Sequence, residues 1–277
     1  MTEILSPVIE GHAAAALLEP LTSLVAQAGA AILAVDRSGM GVETKSDGSP
    51  VTIADLAADR IIAQGLKALA PNVPTLSEER VDKTVRAYRD SFFLVDPLDG
   101  TKEYIAGRNE FTVNIALVTY GKPVLGVIAA PALGLIWRGM VGRSAERLSM
   151  TGDGHVGPPQ PIRTRPCPAR GQPWVVAVSR SHGDARSEAF IAARPGAVRQ
   201  ALGSAVKFGR IAEGVADIYP RLSPTSEWDV AAGHAVVAAA GGRITDSKGA
   251  SLSFGKGREN YLVPEFIAWG DPAAAKA

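Results

Sequence analysis

Cysteine is almost absent, because the 277-residue chain has only Cys167. A single cysteine excludes an internal disulfide framework and is typical of proteins from a reducing compartment. No second cysteine and no metal-ligand spacing accompanies it, so we interpret Cys167 as a free thiol.

An excess of either charge is also absent, since 29 basic and 28 acidic residues leave a formal net charge of +1. This balance gives no electrostatic reason to expect a nucleic-acid polymer or an anionic membrane as the main partner. The N-terminus has no basic segment before its apolar residues, and no uncharged apolar run approaches the length of a transmembrane helix. We therefore expect a cytoplasmic protein, at most peripheral to the inner membrane. Composition does not distinguish a monomer from a homodimer.

The remaining composition, 46% apolar and 21% charged, is that of an ordinary soluble globular protein. The length is enough for one large domain or two modest ones. Between Gly142 and Pro173 the chain is crowded with proline and glycine, which indicates a domain junction or a long surface excursion. We predict an N-terminal α+β domain over 1–150 and a C-terminal α/β domain over 151–277.

Apolar periodicity predicts the elements of both halves. Residues 18–35 repeat apolar side chains at helical spacing, and a second helix is predicted from Thr52 to the prolines near 71–74. A strand is predicted to end on Asp96, and three more follow between 111 and 141, which gives two helices on a largely antiparallel sheet. Beyond Pro173, strands and helices alternate, as in a layered α/β domain.

Four acidic sites lie at the ends of predicted elements instead of on exposed helix faces. They are Asp55, Glu78, the pair Asp96 and Asp99, and Asp229. Asp55 can complete a capping box, three residues after Thr52. Glu78 can be a solvated loop charge, and Asp229 can stabilise the first turn of the helix that follows.

The pair of aspartates in "FFLVDPLDGTKEYI" is harder to explain in structural terms alone. Asp96 ends a strand that we expect to be buried, and a buried carboxylate is costly unless it is paired or binds a cation. Lys102 and Arg108 are candidate partners. Oxygen ligands without histidine or cysteine are also what a magnesium site requires, and such carboxylates can hold two ions.

The residues that follow Asp99 suit a phosphate group. Gly100 lets the backbone approach a ligand closely, and backbone amides of the next turn can point at an anion. Thr101 is either a helix N-cap or a hydroxyl that positions water with help from a carboxylate.

These motifs occur in an order that resembles a known superfamily. Asp55, the Glu-Glu at 78–79, "DPLDGT" at 96–101 and "WDVAAG" at 228–233 resemble the signature of the magnesium-dependent, lithium-sensitive phosphatases. That superfamily contains inositol monophosphatases, fructose bisphosphatases and 3'(2'),5'-bisphosphate nucleotidases. The resemblance spans Lys45 to Gly242, and it implies a phosphoric monoester hydrolase with a layered αβαβα sandwich fold. It also implies two or three Mg2+ ions at a site between the domains.

The resemblance implies roles for individual residues. The metal ligands would be the carboxylates of Glu78, Asp96, Asp99 and Asp229 and the backbone carbonyl of Leu98. Glu78, Asp55 and Thr101 would be catalytic, with Thr101 hydrogen-bonded to Asp55 and orienting the attacking water. Substrate contacts would come from Glu78, Asp99, Gly100, Thr101, Lys102, Ser204, Lys207 and Asp229.

Other segments resemble one branch of the superfamily. "DGTKEY" at 99–104, "VSRSH" at 178–182 and "GSAVKF" at 203–208 are similar to the bacterial bisphosphate nucleotidases, although Tyr104 and Ala205 depart from the commoner Phe and Ser. This branch implies an enzyme of sulfur assimilation that removes the 3'-phosphate of adenosine 3',5'-bisphosphate, and of 3'-phosphoadenosine 5'-phosphosulfate. Nucleotide contacts are also candidates in the loop of Arg180, Ser181 and His182, which follows a predicted strand.

Three alternatives stay open at the level of sequence. One is an inositol monophosphatase or histidinol-phosphate phosphatase, and another is a fructose bisphosphatase of the same superfamily. The third belongs to a different class, a non-catalytic ligand-binding homologue. Loss of a metal carboxylate usually marks such a homologue, and every motif carboxylate is present here.

Overall fold

The structure is a computed structural model that describes residues 2–4, 7–36, 42–44, 50–81, 85–88, 90–181, 183–256 and 261–276. Lys45 and His182, both part of the sequence motifs, lie outside these ranges. The described helices are α1 (Gly11–Ala16), α2 (Leu18–Ala34), α3 (Ile53–Leu69), α4 (Thr101–Ile105), α5 (Ala185–Ala192), α6 (Val206–Ala212) and α7 (Glu227–Ala239).

The described strands occur throughout the chain. They are β1 (Thr2–Ile4), β2 (Val42–Thr44), β3 (Pro50–Thr52), β4 (Thr75–Ser77), β5 (Val85–Tyr88), β6 (Ser91–Asp99), β7 (Thr112–Thr119), β8 (Lys122–Ala130), β9 (Leu135–Met140), β10 (Ala145–Ser149), β11 (Gln160–Ile162), β12 (Val175–Ser179), β13 (Val198–Leu202), β14 (Ile218–Arg221), β15 (Thr225–Ser226), β16 (Arg243–Thr245), β17 (Leu262–Val263) and β18 (Phe266–Trp269).

Two larger sheets organise the molecule. A seven-stranded sheet has the order β11-β10-β9-β8-β7-β6-β4, and its strands are antiparallel except for the parallel pair β4 and β6. A five-stranded mixed sheet has the order β13-β12-β14-β18-β16. The prediction of a largely antiparallel first sheet is therefore confirmed.

The sheets and helices stack in five layers. Helices α2 and α3 share one apolar core with the seven-stranded sheet, to which Leu21 and Ile62 contribute. On the opposite face of that sheet, Phe208 of α6 and Val236 of α7 belong to a second core that also takes in the five-stranded sheet. Ile191 of α5 packs on the far side of the second sheet. This order of layers confirms the predicted αβαβα sandwich.

The N-terminal helical segment Gly11–Ala34 is long and apolar enough to cross a membrane by length and composition. It is a core element of this fold, because Leu21, Val25 and Ile32 are fully buried against the neighbouring layers. Glu19 of the same helix forms a 2.7 Å ion pair with Arg138 of β9. These contacts are typical of a core helix in a soluble domain.

The proposed boundary at residues 150 and 151 does not coincide with the end of the first sheet. Strand β11, at Gln160–Ile162, pairs with β10, so the seven-stranded sheet continues past the predicted junction. The division into domains over 1–150 and 151–277 stays a prediction.

Candidate active site

A bulge in β6 brings the two aspartates of "DPLDGT" to one side of the sheet. Asp96 pairs with Asn114 and Asp99 with Thr112, so three residue steps on β6 match two on β7. Side chains three residues apart in a regular strand point to opposite faces of the sheet. Because the bulge adds one residue to β6, Asp96 and Asp99 point to the same face. The strand therefore runs to Asp99, and the prediction that it ends on Asp96 is wrong.

Three carboxylates from distant parts of the chain meet beside this bulge. Glu78 opens the turn after β4, Asp96 lies in β6, and Asp229 lies in the first turn of α7. One carboxylate oxygen from each lies within 4.8 Å of the other two. We call Glu78, Asp96 and Asp229 the acidic cluster.

Asp96 lies among carboxylates of the same charge. Asp96 is 1% exposed, and its pKa is raised well above the ordinary value by burial and then by the charges of Glu78, Asp99 and Asp229. Lys102 and Arg108, the candidate ion-pair partners, lie exposed. Buried oxygen donors that repel one another fit a divalent cation, so the cluster can hold a metal ion.

Asp99 lies between the acidic cluster and two cationic side chains. Its pKa is raised to about 7 by burial and by Asp229, while Lys207 and Arg221 act in the opposite direction. Thr112 Oγ1 and Asn114 Nδ2 of β7 each lie 3.4 Å from Asp99 Oδ2. Asp99 therefore connects the acidic cluster with the side chains that could bind a substrate anion.

Asp55 caps helix α3 with one carboxylate oxygen and contacts Thr101 with the other. Its Oδ2 accepts hydrogen bonds from the backbone N–H of Thr52 at 2.8 Å and from the Thr52 hydroxyl at 2.6 Å, which completes the capping box of α3. Its Oδ1 lies 3.0 Å from the Thr101 hydroxyl. The carbonyl oxygen of Leu98 lies 3.2 Å from the same hydroxyl, so Thr101 is held at the end of β6.

Gly100 occupies a position that strongly favours glycine. Its φ of 92° lies in the left-handed region, and an added Cβ would lie 2.1 Å from Ser204 Oγ. The Ser204 hydroxyl lies 2.8 Å from the carbonyl oxygen of Asp99. The loop before α6 therefore sits directly on the turn that presents Thr101.

A pocket next to Asp99 is lined by the two cationic side chains, Lys207 and Arg221. Among its lining residues are Asp99, Ser204, Lys207, Tyr219, Arg221 and Asp229. Lys207 is 3% exposed, and burial lowers its pKa to about 8, while the charge of Asp99 acts in the opposite direction. Its Nζ donates to the carbonyl oxygens of Ser204 at 2.7 Å and Leu202 at 3.2 Å.

Arg221 is the site residue that sequence reasoning missed. It ends β14, and its buried Nε has no hydrogen-bond partner among the described residues. A buried guanidinium nitrogen without an acceptor is costly, and an anion in the pocket would satisfy it. The only available signal was its position at the carboxyl end of a predicted strand, where ligands of α/β sheets bind.

Some residues predicted to contact the substrate do not line this pocket. Lys102 is exposed on α4. Arg180 forms an ion pair with Glu110, and the Ser181 hydroxyl donates to Glu103. His182 lies outside the described residues, and Ala205, the departure from the common motif, is buried.

Residues 14–274 match the model of the inositol monophosphatase family. The chain belongs to this family. Among its members, the 3'(2'),5'-bisphosphate nucleotidase CysQ of Escherichia coli (strain K12) is 41% identical over 253 residues, which are 90% of this chain and 98% of the relative. CysQ of Haemophilus influenzae is 31% identical over 260 residues, which are 92% and 93% of the two chains.

Solved structures of the inositol monophosphatase family superpose on the fold. CysQ from Bacteroides thetaiotaomicron, a bacterial member of the family, gives a TM-score of 0.74 at 35% identity and covers 91% of this chain and 96% of its own. An IMPase from Thermotoga maritima gives 0.73 at 23% identity, with 94% of each chain covered. The second similarity supports the fold alone. Recognition of the superfamily from its motifs is thus confirmed.

Proposed function

We propose that the protein is a 3'(2'),5'-bisphosphate nucleotidase that hydrolyses the 3'-phosphate of adenosine 3',5'-bisphosphate to give AMP and phosphate. 3'-Phosphoadenosine 5'-phosphosulfate is a second substrate of the same type. The observation that carries the proposal is the cationic pocket of Lys207 and Arg221, which lies against Asp99 next to the acidic cluster.

A bisphosphate needs two anion sites of different kinds. The phosphate to be cleaved binds where metal ions, the acidic cluster and the turn at Gly100 and Thr101 meet. The second phosphate binds Lys207 and Arg221, whose guanidinium group can form paired hydrogen bonds with phosphate oxygens. A substrate with one phosphate would leave this second pocket without its anion.

The proposed ligands of the metal ions are Glu78, Asp96, Asp99 and Asp229 together with the carbonyl of Leu98. Their all-oxygen character favours magnesium, and two or three ions are expected. Bound Mg2+ supplies a lowered pKa for coordinated water and charge neutralisation at the phosphate. Lithium inhibition is expected for a member of this superfamily.

In the proposed reaction, Thr101 and Asp55 take up the proton of the attacking water. The Thr101 hydroxyl donates to Asp55 Oδ1, so its lone pairs face away from that carboxylate and can accept from water. As the water attacks phosphorus in line, its proton passes to Thr101 and the Thr101 proton passes to Asp55. The bond between phosphorus and the ribose oxygen breaks, and the departing ribose oxygen takes a proton from solvent water to give the 3'-hydroxyl of AMP. No phosphoenzyme forms, because each motif carboxylate already has a metal-binding or positioning role.

A phosphate-release panel tests the proposal. The purified protein is assayed with Mg2+ on adenosine 3',5'-bisphosphate, inositol 1-phosphate, histidinol phosphate and fructose 1,6-bisphosphate, each with and without Li+ and with EDTA as the metal-free control. We expect the highest kcat/KM on the adenosine bisphosphate, and loss of activity in EDTA.

The other outcomes are equally informative. Preference for inositol phosphate or fructose bisphosphate would overturn the nucleotidase assignment and leave the metal site intact. Full activity in EDTA would overturn both, and no activity on any substrate would favour a non-catalytic homologue. Oligomeric state and cytoplasmic location stay predictions.

A further inference from the structure

Glu110 and Arg180 form a bidentate ion pair between two loops that belong to different sheets. Glu110 lies between α4 and β7, and Arg180 follows β12. Arg180 Nη1 lies 2.5 Å from Glu110 Oε2, and Nη2 donates to Oε1 at 3.0 Å. Glu110 Oε2 also accepts the backbone N–H of Gly203 at 3.1 Å. Bidentate pairs of this kind are stronger and more directional than ordinary surface ion pairs.

The Glu110 loop also touches the loop between β13 and α6, which contains Gly203 and Ser204. A Cβ on Gly203 would lie 2.4 Å from the carbonyl oxygen of Glu110, so the close approach requires glycine. The Ser204 hydroxyl lies 2.9 Å from that same carbonyl oxygen. Nearby, the Ser181 hydroxyl donates to the buried Glu103 of α4. We call this set the loop clasp. Its members are Glu103, Glu110, Arg180, Ser181, Gly203 and Ser204.

The loop clasp connects the two anion-binding sides of the site. On one side, Gly100 and Thr101 lie three and two residues before Glu103, in the same turn and short helix. On the other side, Lys207 is anchored by hydrogen bonds to the carbonyls of Leu202 and Ser204, on either side of Gly203. The clasp therefore holds the loop whose carbonyls position the Lys207 ammonium group.

Asp229 does not depend on the clasp for its position. Helix α7, which carries it, packs directly on β7 and β8 of the first sheet. The metal ligands and Thr101 thus belong to one rigid arrangement. Helix α6, which carries Lys207, also packs on α7 and β8, so the clasp acts on the loop that holds the Lys207 ammonium group and not on the helix.

On the basis of the proposed function, we propose that Glu110 is a positioning residue. Its ion pair with Arg180 holds the loop whose carbonyls position the Lys207 ammonium group at the second phosphate site, and so favours bisphosphates over monophosphates. The "KEY" segment that separates this branch from its relatives then has a physical role. Its Glu103 belongs to the clasp. Through the clasp, this segment influences the position of the Lys207 ammonium group without touching the substrate.

The test measures kcat/KM on adenosine 3',5'-bisphosphate and on adenosine 3'-monophosphate in parallel. The variants are Glu110→Gln and Arg180→Gln, which remove the ion pair from either side, and the double variant. The matched control is Glu188→Gln, which breaks the 2.5 Å pair with Arg199 outside the site. Thermal melting and the Mg2+ dissociation constant are recorded for every variant.

We expect each clasp variant to lower the preference for bisphosphate by about tenfold, because a small displacement of a binding group costs this much or more. The double variant should lose no more than either single one, since both remove the same contact. The monophosphate rate and Mg2+ affinity should stay within about twofold of wild type, as expected for independent sites. Glu188→Gln should behave as wild type.

Wild type without a bisphosphate preference would overturn the proposed function, and the selective role of the clasp would fail with it. Wild type with that preference but clasp variants that retain it would overturn the clasp alone. An equal loss on both substrates would also overturn it, because it would show that the pair only supports the fold.

Discussion

Thr101 Oγ1 lies 3.0 Å from Asp55 Oδ1, although 46 residues separate the two in the chain. The other carboxylate oxygen of Asp55 accepts from the backbone N–H and the hydroxyl of Thr52 at the start of α3. One carboxylate therefore begins a helix with one oxygen and orients the hydroxyl of the candidate active site with the other.

Thr101→Val replaces the hydroxyl by a methyl group of similar size. We expect kcat to fall by about 10²–10⁴-fold, because the proton path from water to Asp55 is lost. Thr101→Ser keeps the hydroxyl and should retain most of the activity. Steady-state kinetics on the preferred substrate give the result, and equal rates for the two variants would remove Thr101 from the mechanism.

Asp96→Asn removes one charge from the acidic cluster and should have opposite effects on stability and activity. Without metal the variant should melt at a higher temperature than wild type, because Asp96 repels Glu78, Asp99 and Asp229 in the folded state. With Mg2+ its kcat should fall by about 10²-fold or more, since a metal ligand is lost. Differential scanning fluorimetry in EDTA and Mg2+ and a phosphate-release assay measure both.

Asp153→Asn, in an exposed loop away from the site, is the matched control for this exchange. An Asp96→Asn protein with near-normal magnesium-dependent turnover would contradict the metal assignment.

The stability of the metal-free protein should depend on pH through the same carboxylates. The pKa of Asp99 is raised to about 7 and that of Asp96 is raised well above its ordinary value, so the folded state favours their protonated forms. Their contribution is present below the unfolded pKa of about 4 and is lost as pH rises through the folded values. Buried His234, whose pKa is lowered to about 4 by burial, acts in the opposite direction up to about pH 6.5. In EDTA, the melting temperature should therefore fall between about pH 6.5 and pH 8.

Magnesium should reverse this trend, because a divalent cation stabilises the ionised carboxylates. We expect a larger Mg2+-induced rise in melting temperature at about pH 8 than at about pH 5. Asp96→Asn should flatten the pH dependence in EDTA. A melting temperature in EDTA that rises with pH over this range would contradict the assignment of the raised pKa values to the acidic cluster.

Arg221→Gln tests the second anion site. KM for adenosine 3',5'-bisphosphate should rise by about tenfold to a hundredfold, which corresponds to loss of a hydrogen bond to a charged group. The rate on adenosine 3'-monophosphate should change much less. Arg243→Gln, whose side chain bonds to the carbonyl of Gly249 outside the pocket, is the control. Equal losses on both substrates would show that Arg221 supports the fold instead of a phosphate.

Local sequence signals were sufficient for the longer elements and for most of the acidic residues. Helical periodicity located α2, and the capping residue Thr52 located the start of α3, because each signal comes from neighbouring residues. Asp55, Asp96 and Asp229 stand in short contiguous motifs at the ends of elements, so their resemblance to a family could be recognised without a structure.

Other features depend on contacts that no local pattern encodes. The bulge that places Asp96 and Asp99 on one side appears only in the register with β7. Strands β10 and β11 lie in or beside the proline-rich and glycine-rich segment and carry little periodic signal. Arg221 and Glu110 acquire their roles from partners in other loops, so sequence alone did not single them out.

Helices α6 and α7 form a layer that belongs to both sheets at once. Their apolar side chains, Phe208 and Val236 among them, contribute to a single core that extends from the seven-stranded to the five-stranded sheet. A fragment that ended near residue 150 would leave one face of the first sheet without its cover, and a fragment that began there would leave these helices without their partner. The two halves of the chain should therefore melt in one cooperative transition, even though each has a sheet of its own.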